Sequence, residues 1–165
     1  MNKRTRQYIG LLLAILSYYL IHEGSHLIYA LAIGTFKQIN FMGLGMQIDV
    51  FADRMTNLQL GIFCLVGSAA TAAAAYSLVL CADYICKVHS KVFKASMYYI
   101  TIAMLLLDPL YLSVLCGFFG GGDMNGISLL IPEIPARIGY GALLIVNICL
   151  FFKLVLPKYT EAFAE

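Results

Sequence analysis

Four stretches of the 165-residue chain are apolar for long enough to cross about 30 Å of hydrocarbon as helices, and no other feature limits the possible folds so tightly. They are residues 8–33, ended by Gly34, residues 58–80, residues 97–119, and residues 138–156, closed by Pro157. Hydrocarbon offers no water to backbone groups, so each stretch must pair its own N–H and C=O groups, which a helix does and an open strand does not. Composition agrees. Hydrophobic residues make up 61% and charged residues 12%, against about half and a quarter in soluble domains. The chain reads as an all-α membrane protein, one domain over residues 1–165, with four transmembrane helices and no soluble domain appended.

Lys3, Arg4 and Arg6 ahead of an apolar run have the outline of a cleavable signal peptide. The run is too long for one, lacks a cleavage site and contains polar residues of its own, so it reads as a permanent span. A net charge of +2 provides no basic face for nucleic acid. Trp is absent, but 11 Tyr and 10 Phe can form interfacial belts in the lipid bilayer. Cys64, Cys81, Cys86, Cys116 and Cys149 include no C-x-x-C pair and read as small apolar helix residues.

The connections carry the remaining information. Residues 35–56 do not read as helix: 36–41 alternate apolar and polar, Gly43-Leu44-Gly45 breaks the run, and 46–50 alternate again. This predicts a short membrane-associated β-hairpin between the first and second spans. The second span holds Gly61, Gly67, Ser68 and a run of alanines, whose small side chains let helix backbones approach closely. Residues 82–95, with Asp83, Lys87, His89, Lys91 and Lys94, read as an exposed basic loop with His89 solvated. After the third span, Gly120-Gly121-Gly122 break the helix beside Asp123 and Asn125, and a carboxylate on an unwound turn at membrane depth marks a site. Pro132 and Pro135 then keep the following short segment from running into the fourth span.

Inside the first span stand His22-Glu23-Gly24-Ser25-His26. Charged and polar groups are costly in a span, so the pentad calls for a function. In H-E-x-x-H the two imidazoles lie one helical turn apart on one face and converge on one zinc ion, and the Glu reaches a zinc-bound water. His22 and His26 are two ligands; catalytic zinc takes a third from the protein. The candidates are Asp123 on the glycine turn, which is preferred, and Asp108, which precedes Pro109 in the third span. With Asp123 as ligand, Asp108 becomes the group that holds a ligand imidazole by its other nitrogen. One Zn2+ per chain, one ligating Asp and the Glu23 carboxylate sum to zero charge, which lowers the cost of burying them. Glu23 is then the general base for water attack on a peptide carbonyl, and Asn125 the candidate for holding the oxyanion or the substrate backbone.

From residue 8 to about residue 130 the chain resembles the site-2 proteases, intramembrane zinc metalloproteases. The resemblance rests on the pentad near the end of a span, the hairpin segment over residues 34–50, the small-residue stretch Leu65-Val66-Gly67-Ser68 and Asp123 beside glycines. The family's third motif reads Leu-Asp-Gly; here Gly122-Asp123-Met124 lacks the Leu, and Leu107-Asp108-Pro109 lacks the Gly. The resemblance implies cleavage of membrane-protein or signal-peptide-like substrates by a multi-pass protein of a prokaryotic cell membrane. It also implies a hairpin, with Gly43 and Gly45 at its tip, that holds substrate extended by strand addition. Substrate selection would fall to the membrane core or to a regulatory membrane partner. Lys and Arg counts place the N-terminus in the cytoplasm, whereas the family arrangement implies the opposite orientation. A non-catalytic metal-binding or transport protein using the same His/Glu/Asp cluster is the alternative, since such groups also line ion pathways.

Overall fold

In the computed structural model, which describes residues 1–42 and 45–164, the chain is a helical bundle with one hairpin. Helix α1 (Lys3–Ala32) is followed by strands β1 (Phe36–Met42) and β2 (Gly45–Val50). Then come α2 (Asn57–Leu80), the short α3 (Ala82–Cys86) and α4 (Lys91–Leu110), which runs on into a π-helical turn, Tyr111–Leu115. A five-residue α5 (Asp123–Ile127) precedes α6 (Glu133–Leu150), and a second π-helical turn, Phe151–Val155, joins α6 to α7 (Leu156–Ala164). Among the described residues four helical stretches are long and apolar enough to cross a membrane: Lys3–Ala32, Asn57–Leu80, Lys91–Leu115 and Glu133–Ala164.

Side-chain burial is inverted relative to a water-soluble bundle. Leu12, Leu16, Leu20, Ile28, Ile138 and Ile145 face outward, while the buried residues of α1 are Gly10, Ala14, His22, His26 and Ala30. With Tyr18, these fall on every fourth position. A four-residue stripe drifts around a helix of 3.6 residues per turn, so neighbours meet α1 obliquely and at different heights. Near its start, a Cβ on Gly10 would lie 3.1 Å from the carbonyl oxygen of Ala95 on α4. Near its end, His26 bonds to Phe63 of α2.

The pairings fix the directions of the four spans. Gly10 meets the first turns of α4 and Tyr18 reaches Asp108 near its end, so α1 and α4 run parallel. His26 meets the start of α2, so α2 runs against α1. Asn147 of α6 donates to the Leu105 carbonyl (2.7 Å) and Arg137 to the Ser113 carbonyl (3.1 Å), so α6 runs against α4. Two apolar clusters fill the bundle, one around Phe63, Leu112, Met124 and Ile127 and one around Val79, Met104, Leu105 and Val155.

Helix starts are chemically marked. The Asn2 side chain accepts from the Thr5 N–H (2.8 Å), Thr56 and Gln59 form a reciprocal capping box on α2, and Ser90 accepts from the Phe93 N–H. The strands pair antiparallel, with Ile39 opposite Ile48 and Asn40 opposite Gln47 and an irregularity beside Lys37. There the Lys37 ammonium, 2.9 Å from Asp49, holds that carboxyl below its ordinary range.

Three expectations change. The third span begins at Lys91 rather than 97, and its helix ends at Leu115 rather than 119. Residues 82–95 are not simply an exposed loop, because Ala82 and Ile85 are buried and Lys94 is 4% exposed, its ammonium donating to the Ala162 carbonyl near the end of α7. A cation at the carbonyl end of a helix is favourably placed, which is what lets Lys94 go under. Pro157 does not close the fourth span. It stands in the first turn of α7, just after the wider π-helical turn, so its missing N–H and its ring interrupt no α-helical ladder.

Candidate metal centre

His22 and His26 lie on the inward stripe of α1, one turn apart, and are 8% and 3% exposed. Nε2 of His22 is 3.1 Å and Nε2 of His26 is 3.4 Å from the same oxygen, Oδ2 of Asp123. One ligand atom from each of the three residues lies within 4.8 Å of the other two.

The other ring nitrogens are committed elsewhere. Nδ1 of His26 is 2.6 Å from the Phe63 carbonyl oxygen, which can only accept, so Nδ1 carries the proton. Nδ1 of His22 lies 3.2 Å from Oδ1 of Asp108 and donates to that carboxylate. With each Nδ1 committed as a donor, the Nε2 atoms of both rings are left to face Asp123 Oδ2. These three atoms are close enough together to share one metal ion once both Nε2 atoms are free of protons. Two imidazoles and a carboxylate, with the imidazoles held through their second nitrogens, are a donor set suited to a divalent transition metal.

Space beside the two Nε2 atoms comes from α2. A Cβ on Gly67 would stand 2.5 Å from His26 Nε2 and 2.8 Å from His22 Nε2, so any larger residue would fill the seat. By sequence Gly67 is a helix-packing residue; its direct part in the site comes from the tertiary register of α2 on α1. Gly24, which the motif requires only to be small, has no atom within 4 Å of an added Cβ.

Asp123 reaches the imidazoles through its backbone. Gly120, Gly121 and Gly122 have φ of 82°, 87° and 49°, values that L side chains rarely adopt, and α5 begins at the next residue. A Cβ on Gly122 would also lie 2.5 Å from Tyr111 Oη. Asn125 is turned back onto the Gly120 carbonyl (3.1 Å), so it braces the glycine turn and is not brought to the His/Asp cluster. On the other side of that turn, Arg137 donates to the Ser113 carbonyl (3.1 Å) and pairs with Glu133 (3.2 Å), tying the π-helical turn before it to α6.

Asp108 is 2% exposed and fully engaged. Besides His22, it accepts from Tyr18 Oη (2.5 Å) and from Thr71 Oγ1. Tyr18 and Thr71 were not singled out from sequence. Tyr18 was within reach, one turn before His22 on the same stripe; Thr71, one turn after Gly67, needs the α1–α2 register. The charge sum of one zinc, one Asp and Glu23 omits Asp108, whose charge is met by these three donors.

Glu23 Oε2 accepts from the backbone N–H of Ile48 (3.2 Å). That N–H therefore points away from β1, and β2 turns its outer edge to a cavity of about 450 Å3. His22, Glu23, His26 and Asp123 line this cavity together with Gly45, Met46 and Phe119. Gly45 thus stands at the site, while Gly43 lies outside the described residues.

No family model, no curated protein and no solved structure matches this chain. What defines it is a bundle with four helices fit to cross a membrane and a His/His/Asp cluster, from α1 and α5, spaced to hold a metal ion.

Proposed function

We propose that the chain is an intramembrane zinc-dependent endopeptidase of the site-2 protease kind, a multi-pass membrane protein acting on peptide bonds in or near the membrane-spanning segments of other proteins. The observation that carries this reading is the convergence of His22 Nε2, His26 Nε2 and Asp123 Oδ2 beside a carboxylate, Glu23, on the same cavity. His22, His26 and Asp123 hold the ion, and Asp108 and the Phe63 carbonyl orient the two imidazoles. When bound, zinc supplies Lewis acidity toward a peptide carbonyl and toward water.

Glu23 takes a proton from the attacking water and returns it to the departing amine. In the free protein its carboxylate rests on the Ile48 N–H, so the base is held at the cavity wall by a single backbone donor. The edge of β2 beside it offers backbone groups along the cavity, a suitable template for a substrate segment unwound into a strand. Scission needs such unwinding, because a helical substrate shields its carbonyls.

The test is proteolysis in vesicles. Wild-type protein reconstituted with a membrane-spanning substrate should cleave it and hold one zinc per chain. Glu23→Gln should keep the zinc and lose about 10³-fold in rate. Cleavage by Glu23→Gln at the wild-type rate, or a wild-type protein that holds no metal, would refute the proposal. Metal uptake by the same vesicles that persists in Glu23→Gln, with no cleavage by either protein, would point instead to a transport protein.

A further inference from the structure

We propose that the chain carries a second binding site, for a phosphate-bearing anion, in the cavity formed by the first turns of α1, the start of α4 and α7. This site is independent of the metal centre. Arg6 and His22 are sixteen residues apart on α1, about 24 Å along the axis.

The cavity holds about 410 Å3, within the size range of small-molecule sites. Lys3, Arg6 and Gln7 line one side of it. Residues three and four apart share a helix face, so these three polar groups act on the same point. No Asp or Glu among the described residues lines the cavity. Among the described residues Lys37, Arg137 and Lys158 each have a carboxylate partner; Lys3 and Arg6 are among the cations that have none. The first turn of α1 contains no acidic residue, so the positive end of a 30-residue helix adds to the same field uncancelled.

A third cation stands behind the wall. Lys94 is buried, its ammonium 5.8 Å from the ring centroid of Phe163, which lines the cavity, and its partner is the neutral carbonyl of Ala162. Two cations on the cavity wall and a third behind it give the cavity a positive field that favours an anion. Arg and Lys with an amide donor suit phosphate oxygens, to which a guanidinium binds through two parallel hydrogen bonds.

The remaining wall is apolar and aromatic, with Tyr98, Leu156 and Phe163. Charge at one side and apolar surface at the other match the junction of a phospholipid headgroup with its chains. Lys3, Arg4 and Arg6 also belong to the cation-rich end of the bundle, the kind of surface that anionic lipids gather on. The shared chemistry is the phosphate, and it can come from a lipid headgroup or from solution.

Purified full-length protein in neutral detergent is titrated with phosphatidylglycerol, and separately with inorganic phosphate, and bound ligand is read by native mass spectrometry. Lys3→Gln/Arg6→Gln should bind phosphatidylglycerol about 30-fold more weakly, the effect of removing two interfacial cations. Lys87→Gln/Lys91→Gln, an equal charge change at exposed positions outside the cavity, should bind as wild type. Thr160→Phe, which narrows the cavity without changing charge, should also weaken binding. The same pattern with inorganic phosphate but not with lipid would assign the site to a soluble phosphate. Equal losses in the two double variants, unchanged binding in Lys3→Gln/Arg6→Gln, or no binding of either ligand by wild type would each overturn the proposal. Helical circular dichroism and the thermal unfolding midpoint, read on every variant, report that the fold is intact.

Discussion

Two aspartates approach the same imidazole from opposite sides, and they are held in opposite ways. Asp108 belongs to a continuous helix and is 2% exposed at its side chain, with Tyr18, Thr71 and His22 Nδ1 all directed at it. Asp123 opens a five-residue helix after three inverted glycines, is 23% exposed, and faces the Nε2 atoms of both histidines. A carboxylate saturated by neutral donors is an anchor. A carboxylate oxygen that faces the Nε2 atoms of two histidines is spaced to share a metal ion with them. The residue type is the same, and the partners decide the role.

That contrast is open to direct attack. Asp123→Ala should lower metal affinity by more than about 100-fold, beyond what loss of an orienting group costs, as read by competition with a chromogenic chelator. Asp108→Asn should cost about 10- to 100-fold, with full occupancy restored at high metal concentration. The reverse order of these two variants would exchange their roles. Tyr18→Phe strips one donor from a buried carboxylate and should destabilise the protein by about 1.5–3 kcal/mol, measured by thermal unfolding in detergent, with metal affinity down less than about tenfold. Arg137→Gln loosens the turn ahead of Asp123 without touching Asp108; a drop in metal affinity of only a few-fold, with Asp108-dependent stability unchanged, would be the smallest of the four effects.

The two regions also differ in how readily they were legible beforehand. Four long apolar runs, the alternation on either side of Gly43 and the H-E-x-x-H spacing are local patterns, and each corresponds to a span, a hairpin or a pair of inward side chains. Asp123 and Asp108 were narrowed to two candidates because intramembrane carboxylates are rare. What stayed hidden depends on register between helices. Gly67 looks like any packing glycine until α2 sets it against His26, and Thr71 looks like an ordinary helix threonine until it meets Asp108. Asn125 reads from the sequence as a contact for the oxyanion or the substrate backbone, but its amide folds back on Gly120. Pro157 and Lys94 misled for a related reason. A widened turn absorbs the proline, and a carbonyl from a helix some seventy residues away accepts the lysine.

The bond between the Ile48 N–H and Glu23 gives the protein an internal clock. A backbone amide held by a carboxylate exchanges its hydrogen with deuterium slowly, and one released from it exchanges faster. The labelling rate of that single amide thus reports how often the carboxylate leaves the strand, without a substrate, a product or an added probe.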